Sequence, residues 1–172
     1  GRKHLIVGPS GVGLLVPGGL KLGAIGGIDL AQMAASRIGT KGNIAVISTS
    51  GGMTNELIRS VADHGHRLSF AAAIGGNLFL VSPLTDLLML VEDDPDTDAL
   101  VYFGELGGID EYEMVELVKA RKFTKPIVAY IAGVIDEAFA THVQFGHAKA
   151  LVAHSGESAR DKRDALRAVG VG

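Results

Sequence analysis

Asn43-Ile44-Ala45-Val46-Ile47-Ser48-Thr49-Ser50-Gly51-Gly52-Met53-Thr54-Asn55-Glu56 changes its period within one short stretch. Residues 43–47 form a brief run of β-branched and small apolar side chains, the pattern of a strand buried on both faces. Hydroxyls and glycines follow, and then Met53, Leu57, Ile58 and Val61 recur at helical spacing. The segment therefore reads as a strand running through a tight junction into a helix.

The same alternation continues on both sides. Runs 4–7, 69–74, 99–103, 126–131 and 150–153 also read as buried strands. Between them lie helical spacings: Leu84, Leu87, Leu88 and Val91, then Tyr112, Val115 and Val118. Strands that alternate with helices predict an α/β fold with a parallel sheet. A last helix is expected from a cap at Ser155 to about Ala168, with Glu157 in the first turn, where the helix dipole favours a carboxylate. The first forty residues differ. They are rich in glycine and proline around Gly8-Pro9 and Val16-Pro17-Gly18-Gly19, and only 30–38 looks helical, so 1–42 reads as a leading segment to a domain at 43–172.

Composition narrows the class. With 172 residues the chain has room for one cored domain. Apolar residues make up 47% of it, yet no apolar run approaches the ~18 residues of a membrane span, and no membrane partner is expected. A net charge of −3 argues against a nucleic-acid footprint, which needs clustered Lys and Arg. No secretory pattern opens the sequence and it has no cysteine, which fits the cytoplasm. Its 24 glycines follow no fixed period and punctuate turns.

Several of these glycines mark strand exits: Ser50-Gly51-Gly52, Gly75-Gly76, Gly107-Gly108 and Gly133. In a parallel sheet those exits share the carboxyl edge, where ligands of open α/β sheets bind. At 48–52, free N–H groups and the positive end of a helix suit a phosphate or carboxylate, with Ser48 and Ser50 as added hydroxyl donors. Capping by Ser50 or Thr54 accounts for the same residues equally well. The stretch is not the G-x-x-x-x-G-K-[ST] loop of nucleotide binders.

Gly104-Glu105-Leu106-Gly107-Gly108 sets a carboxylate at a strand end. Glu105 there can accept a ring N–H and fix a histidine's tautomer, although capping or solvation explains it more simply. Gln144-Phe145-Gly146-His147-Ala148 leaves His147 open to close approach, in competition with His4, His64, His66, His142 and His154. None of the six has a metal-binding spacing, and His64 and His66 flank a helix end whose dipole accounts for them. The acidic run 92–96 lacks EF-hand spacing and reads as a solvated turn.

Taken together, Ser50-Gly51-Gly52-Met53-Thr54-Asn55-Glu56, Gly104-Glu105-Leu106-Gly107-Gly108 and Val143-Gln144-Phe145-Gly146-His147-Ala148 resemble, in order and spacing, the ligase domain of the ATP-citrate lyase and succinyl-CoA synthetase family. The likeness extends to Gly8-Pro9, Gly13, Pro17-Gly18, Lys21 and Gly23, and to Ser158, Lys162, Ala165-Leu166 and Gly170-Val171. The Gly-Gly-Met-Thr-Asn-Glu stretch and the Gln-Phe before Gly-His look closer to ATP-citrate lyase. The resemblance implies a flavodoxin-like sheet with helices on both faces. By position, His147 matches the phosphorylated histidine, Glu105 its carboxylate partner, and Ser48, Ser50, Gly51 and Gly52 the phosphate-holding helix start.

The implied reaction passes phosphate from ATP, bound with Mg²⁺ on an ATP-grasp portion, to a carboxylate substrate, and CoA then takes the acyl group as a thioester. A CoA-binding domain is expected ahead of the leading segment, and an oligomer is implied for the intact enzyme. The chain departs from the family pattern at Lys149, where a glycine is usual, and at Asn77 and Ser82-Pro83-Leu84-Thr85. A succinyl-CoA synthetase-like domain, or an interaction module that kept the fold without the chemistry, are the alternatives.

Overall fold

The computed structural model describes residues 4–77, 79–139 and 143–172. Chain order runs β1 (Gly13–Val16), β2 (Leu20–Gly23), α1 (Leu30–Ala35), β3 (Ile44–Ser48), α2 (Gly51–Asp63), β4 (Leu68–Ala73), α3 (Leu84–Asp93), β5 (Ala99–Glu105), α4 (Asp110–Lys119), β6 (Ile127–Ala132), a 3₁₀ turn (Val134–Ala138) and α5 (Ala159–Arg167). The six strands form one sheet in the order β2-β1-β4-β3-β5-β6.

Strands β4, β3, β5 and β6 are mutually parallel. Numbered from their own first member they follow the order 2-1-3-4, the doubly wound arrangement that reverses direction between β3 and β5. Side chains alternate across them as a pleat requires. Ala45 and Ile47 face a core shared with Leu84, Leu88, Met114 and Leu166 of α3, α4 and α5. Val46 faces the opposite core, with Ile58 of α2 and Leu15 and Ile25 of the leading segment. Helices thus cover both faces.

The expected α/β fold with a parallel sheet and helices on both faces is present, and the leading segment adds an antiparallel hairpin at one end of it. β1 pairs antiparallel with both β2 and β4, so the sheet is mixed and residues 13–23 of the leading segment belong to it. The Pro17-Gly18-Gly19 link between two apolar stretches was the hairpin signal, with Gly19 N bonded to Val16 O and Gly18 at φ +74.

Two expected strands are absent. Around 4–7, Ile6 N donates to the Ser82 hydroxyl at 2.9 Å in place of a neighbouring strand, while Leu5 and Val7 still pack on the core. Around 150–153, Leu151 N bonds Lys149 O, and Ala153 N is taken by the Glu157 carboxylate. Local turns therefore claim the backbone, and burial of Ala150 and Val152 alone explains their apolar character. The last helix is capped by Ser158, whose hydroxyl accepts from Asp161 N, and not by Ser155. Glu157 precedes that helix and turns back to accept from both Ala153 N and His154 N.

Candidate active site

The reversal of strand order puts the exits of β3 and β5 side by side at the carboxyl edge. Ser48 is opposite Ala73 of β4 and Phe103 of β5, so β3 and β4 end level while β5 runs two residues further, to Glu105. α2 starts here with Ser50 as its cap: the hydroxyl accepts from Met53 N, while Ser50 O accepts from Thr54 N and Thr54 Oγ1. Ser48 is fully buried, and its hydroxyl donates to Ser50 O and accepts from Ser50 N. Both serines are therefore spent on shaping the turn. By helix geometry the N–H groups of Gly51 and Gly52 have no intrahelical partner, and the space around the Gly52 Cα is open.

His147 comes to this edge from the far end of the sequence. Its Nδ1 is 2.9 Å from both oxygens of Glu105 at the end of β5. The imidazole is 38% exposed and the carboxylate 13%. On its other side the ring lies against Gly76, beyond the end of β4. His147 thus touches the exits of β5 and β4, the two strands that flank β3. With Nδ1 held by a carboxylate, the neutral ring carries its proton there and Nε2 is the nitrogen left for chemistry.

The loop around His147 is closed locally. Phe145 N bonds Ala150 O, Ala150 N bonds His147 O, and the Gln144 amide also donates to His147 O. It rests on the β5 exit only because Gly107, at φ +83, has no side chain: a Cβ there would meet Lys149 O at 1.8 Å. Lys149 itself is buried, with its stem beside Gly108 and its ammonium paired with Asp110, the first residue of α4. Asn77 donates to Pro9 O at 2.8 Å and ties the β4 exit to the leading segment.

Other candidates have local explanations. His64 Nδ1 is 2.8 Å from Ser60 O at the end of α2, and Lys41 bridges Asp94 and Asp96 in the acidic turn. His142 lies outside the described residues. No group of three or more metal-ligating side chains is found among the described residues.

Sequence reasoning missed the support beneath Glu105. Lys162 is completely buried and donates to Glu105 O at 2.8 Å and Gly107 O at 2.7 Å. Its ammonium is 2.6 Å from Glu111 Oε2, and Tyr102 donates to Glu111 Oε1 at 3.0 Å. Burial pushes the Lys162 ammonium below its usual range, with Glu111 acting in the other direction. Burial, then Glu111, pushes the Tyr102 phenol well up. A signal existed: Ala159, Lys162 and Leu166 form the buried stripe of α5, and Glu111, Met114 and Val115 that of α4.

Residues 47–171 match the model of a family described as CoA-ligase. The chain belongs to the CoA-ligase family. It is 39% identical over 169 residues to a probable ATP-citrate synthase of Caenorhabditis elegans, covering 98% of this chain and 15% of that protein. ATP citrate lyase from Methanosaeta concilii, a point variant in complex with (3S)-citryl-CoA, superposes with a TM-score of 0.91 at 33% identity, over 96% of this chain and 27% of that one. The Methanothrix soehngenii enzyme, in complex with citrate and coenzyme A, gives the same TM-score, identity and coverage. The chain spans between 15% and 28% of the length of the curated relatives it matches. Among the described residues no helix is long and apolar enough to cross a membrane.

Proposed function

We propose that this CoA-ligase family chain is the phosphohistidine-carrying domain of a cytoplasmic ATP-citrate lyase-like acid–CoA ligase. The observation that carries the reading is the pair of 2.9 Å contacts from His147 Nδ1 to the two Glu105 oxygens at the sheet's reversal point. Likeness to proteins called ATP-citrate synthase, and to structures holding citryl-CoA or citrate with coenzyme A, favours citrate or a related carboxylate over succinate.

His147 attacks the γ-phosphorus of ATP through the Nε2 lone pair. An N–P bond forms as the bond to the ADP oxygen breaks, and ADP takes that electron pair. Glu105 accepts the Nδ1 proton in a hydrogen bond throughout and stabilises the positive charge that develops on the ring. The N–H groups of Gly51 and Gly52, with the positive end of α2, receive the phosphoryl oxygens. A substrate carboxylate then takes the phosphoryl group, the N–P electrons return to Nε2, and the acyl phosphate is opened by the CoA thiol to a thioester and phosphate.

ATP and Mg²⁺ are assigned to an ATP-grasp portion and CoA to a separate CoA-binding domain, so the complete reaction requires an assembly larger than this chain. The test is labelling. The intact protein with its ATP-grasp partner, Mg²⁺ and γ-labelled ATP is expected to gain an acid-labile, base-stable label, and His147→Asn to abolish it. A label that persists in His147→Asn, or an active partner that never labels the wild type, overturns the reading.

A further inference from the structure

The first two residues of α4 each hold a buried lysine, and the two lysines come from different places. Asp110 pairs with Lys149, two residues beyond His147 on the same loop. Glu111 pairs with Lys162 of α5, which grips the carbonyls of Glu105 and Gly107. One side of the Glu105–His147 contact is therefore tied to Glu111 and the other to Asp110. These ties meet at adjacent residues of a helix that is itself packed in the core through Met114 and Val115.

The energetics favour a positional role. A lysine withdrawn from water with a carboxylate contributes little net stability over an apolar pair of the same volume. Lys162 places its ammonium among two carbonyls and Glu111 Oε2, and the other Glu111 oxygen is occupied by Tyr102. Such an arrangement fixes where the end of β5 sits, which sets where the Glu105 carboxylate meets the ring.

We propose that Glu111–Lys162 and Asp110–Lys149 are positioning pairs that hold Glu105 against Nδ1 of His147 and so restrict phosphorylation to Nε2. This rests on the phosphohistidine reading above. If the pairs let go, Glu105 no longer covers Nδ1, the ring loses its fixed tautomer, and either nitrogen can attack phosphorus.

Regiochemistry reports this directly, because the two phosphohistidine isomers are distinguishable by ³¹P NMR and by chromatography after alkaline hydrolysis. The experiment uses the intact protein with its ATP-grasp partner. Wild type is expected to carry phosphate on Nε2 alone. The double variant Glu111→Gln/Lys162→Met removes the buried charges together, leaving no orphaned ion. It is expected to label at least tenfold more slowly at unchanged KM for ATP, with part of the label on Nδ1. Lys149→Met leaves Asp110, which is partly exposed, to water, and is expected to shift the isomer ratio in the same direction. A merely structural role lowers yield or Tm but leaves the isomer on each labelled molecule unchanged. If either folded variant labels Nε2 alone at the wild-type rate, the proposal is overturned. Loss of wild-type labelling would instead count against the phosphohistidine reading itself.

Discussion

A Cβ added at Gly76 would lie 2.3 Å from Cγ of His147 and 2.4 Å from its Nδ1. The glycine is thus the wall against which the ring is set. Gly76→Ala is expected to displace the ring from Glu105. Since a shift of about 1 Å in a reacting group costs on the order of a hundredfold, labelling should fall by about that factor while the protein still folds. Labelling rate with far-UV circular dichroism as the folding control checks it, and an unchanged rate contradicts the assigned contact.

Glu105→Gln keeps the shape of the side chain but removes its charge. It is expected to slow phosphorylation of His147 by about 10²-fold, the lower end of what a positioned proton partner contributes. The nucleophile remains, so some label should still appear. Single-turnover labelling separates this from Glu105 serving only as a strand-end cap, for which the rate would not change.

Gly51 and Gly52 start the same helix in different surroundings. An added Cβ at Gly51 would meet Val12 Cγ1 at 2.5 Å, whereas at Gly52 nothing lies within 4 Å. Gly52→Ala is expected to be neutral or to stabilise by up to about 1 kcal/mol, since it stiffens the unfolded chain. Gly51→Ala should lower Tm. Ser50→Ala removes the cap and should cost about 1 kcal/mol. Thermal melts of the three variants give the ranking.

Phosphate, sulfate or citrate should bind weakly at this helix start, because the donors are backbone groups present once the fold forms. Amide shifts of Gly51 and Gly52 on titration report the binding. Their constancy at high phosphate contradicts the anion site.

Glu157 gives a pH-dependent term. Burial alone would raise its carboxyl, but the N–H groups of His154 and Ala153 hold it below the usual carboxylate value. With the folded pKa depressed, its contribution is fully present above the unfolded value of about 4.3. The contribution is lost as pH falls through the folded value. Glu157→Gln is therefore expected to lower stability at neutral pH, with the difference from wild type shrinking in acid. Because Gly107 N bonds Glu157 O, the same acidification should loosen the β5 exit. Urea unfolding at neutral and acidic pH measures both curves.

The sheet's four parallel strands were legible because each reads as a short apolar run; β3, β4 and β5 are largely buried on both faces, while the edge strand β6 leaves Val128 and Tyr130 exposed. Residues 150–153 had the same composition and were not a strand: periodicity records burial, and cannot tell a ladder from a turn that packs inward. Glu105 and His147 were reachable only through resemblance, since their contact bridges distant segments and no spacing rule links them. Lys162 was named only within the resemblance and given no role, because no spacing rule ties a lysine of the last helix to the β5 exit. Its place on the stripe of Ala159 and Leu166 pointed inward, but only the carbonyls of Glu105 and Gly107 explain why a cation is there.

The hairpin β1–β2 has one further effect. A protein cut at residue 43 would keep every parallel strand and the whole Glu105–His147 pair. It would, however, strip Gly13, Leu14 and Leu15 from Ala73, Ala72 and Ala71, and take Leu15 and Ile25 out of the second core. β4 would then present a bare row of N–H and C=O groups flanked by small side chains, an open template for another copy of itself. The glycine-rich opening of the chain is in this sense a built-in guard against self-aggregation, and trimming it is expected to yield insoluble protein even though the chemistry lies elsewhere.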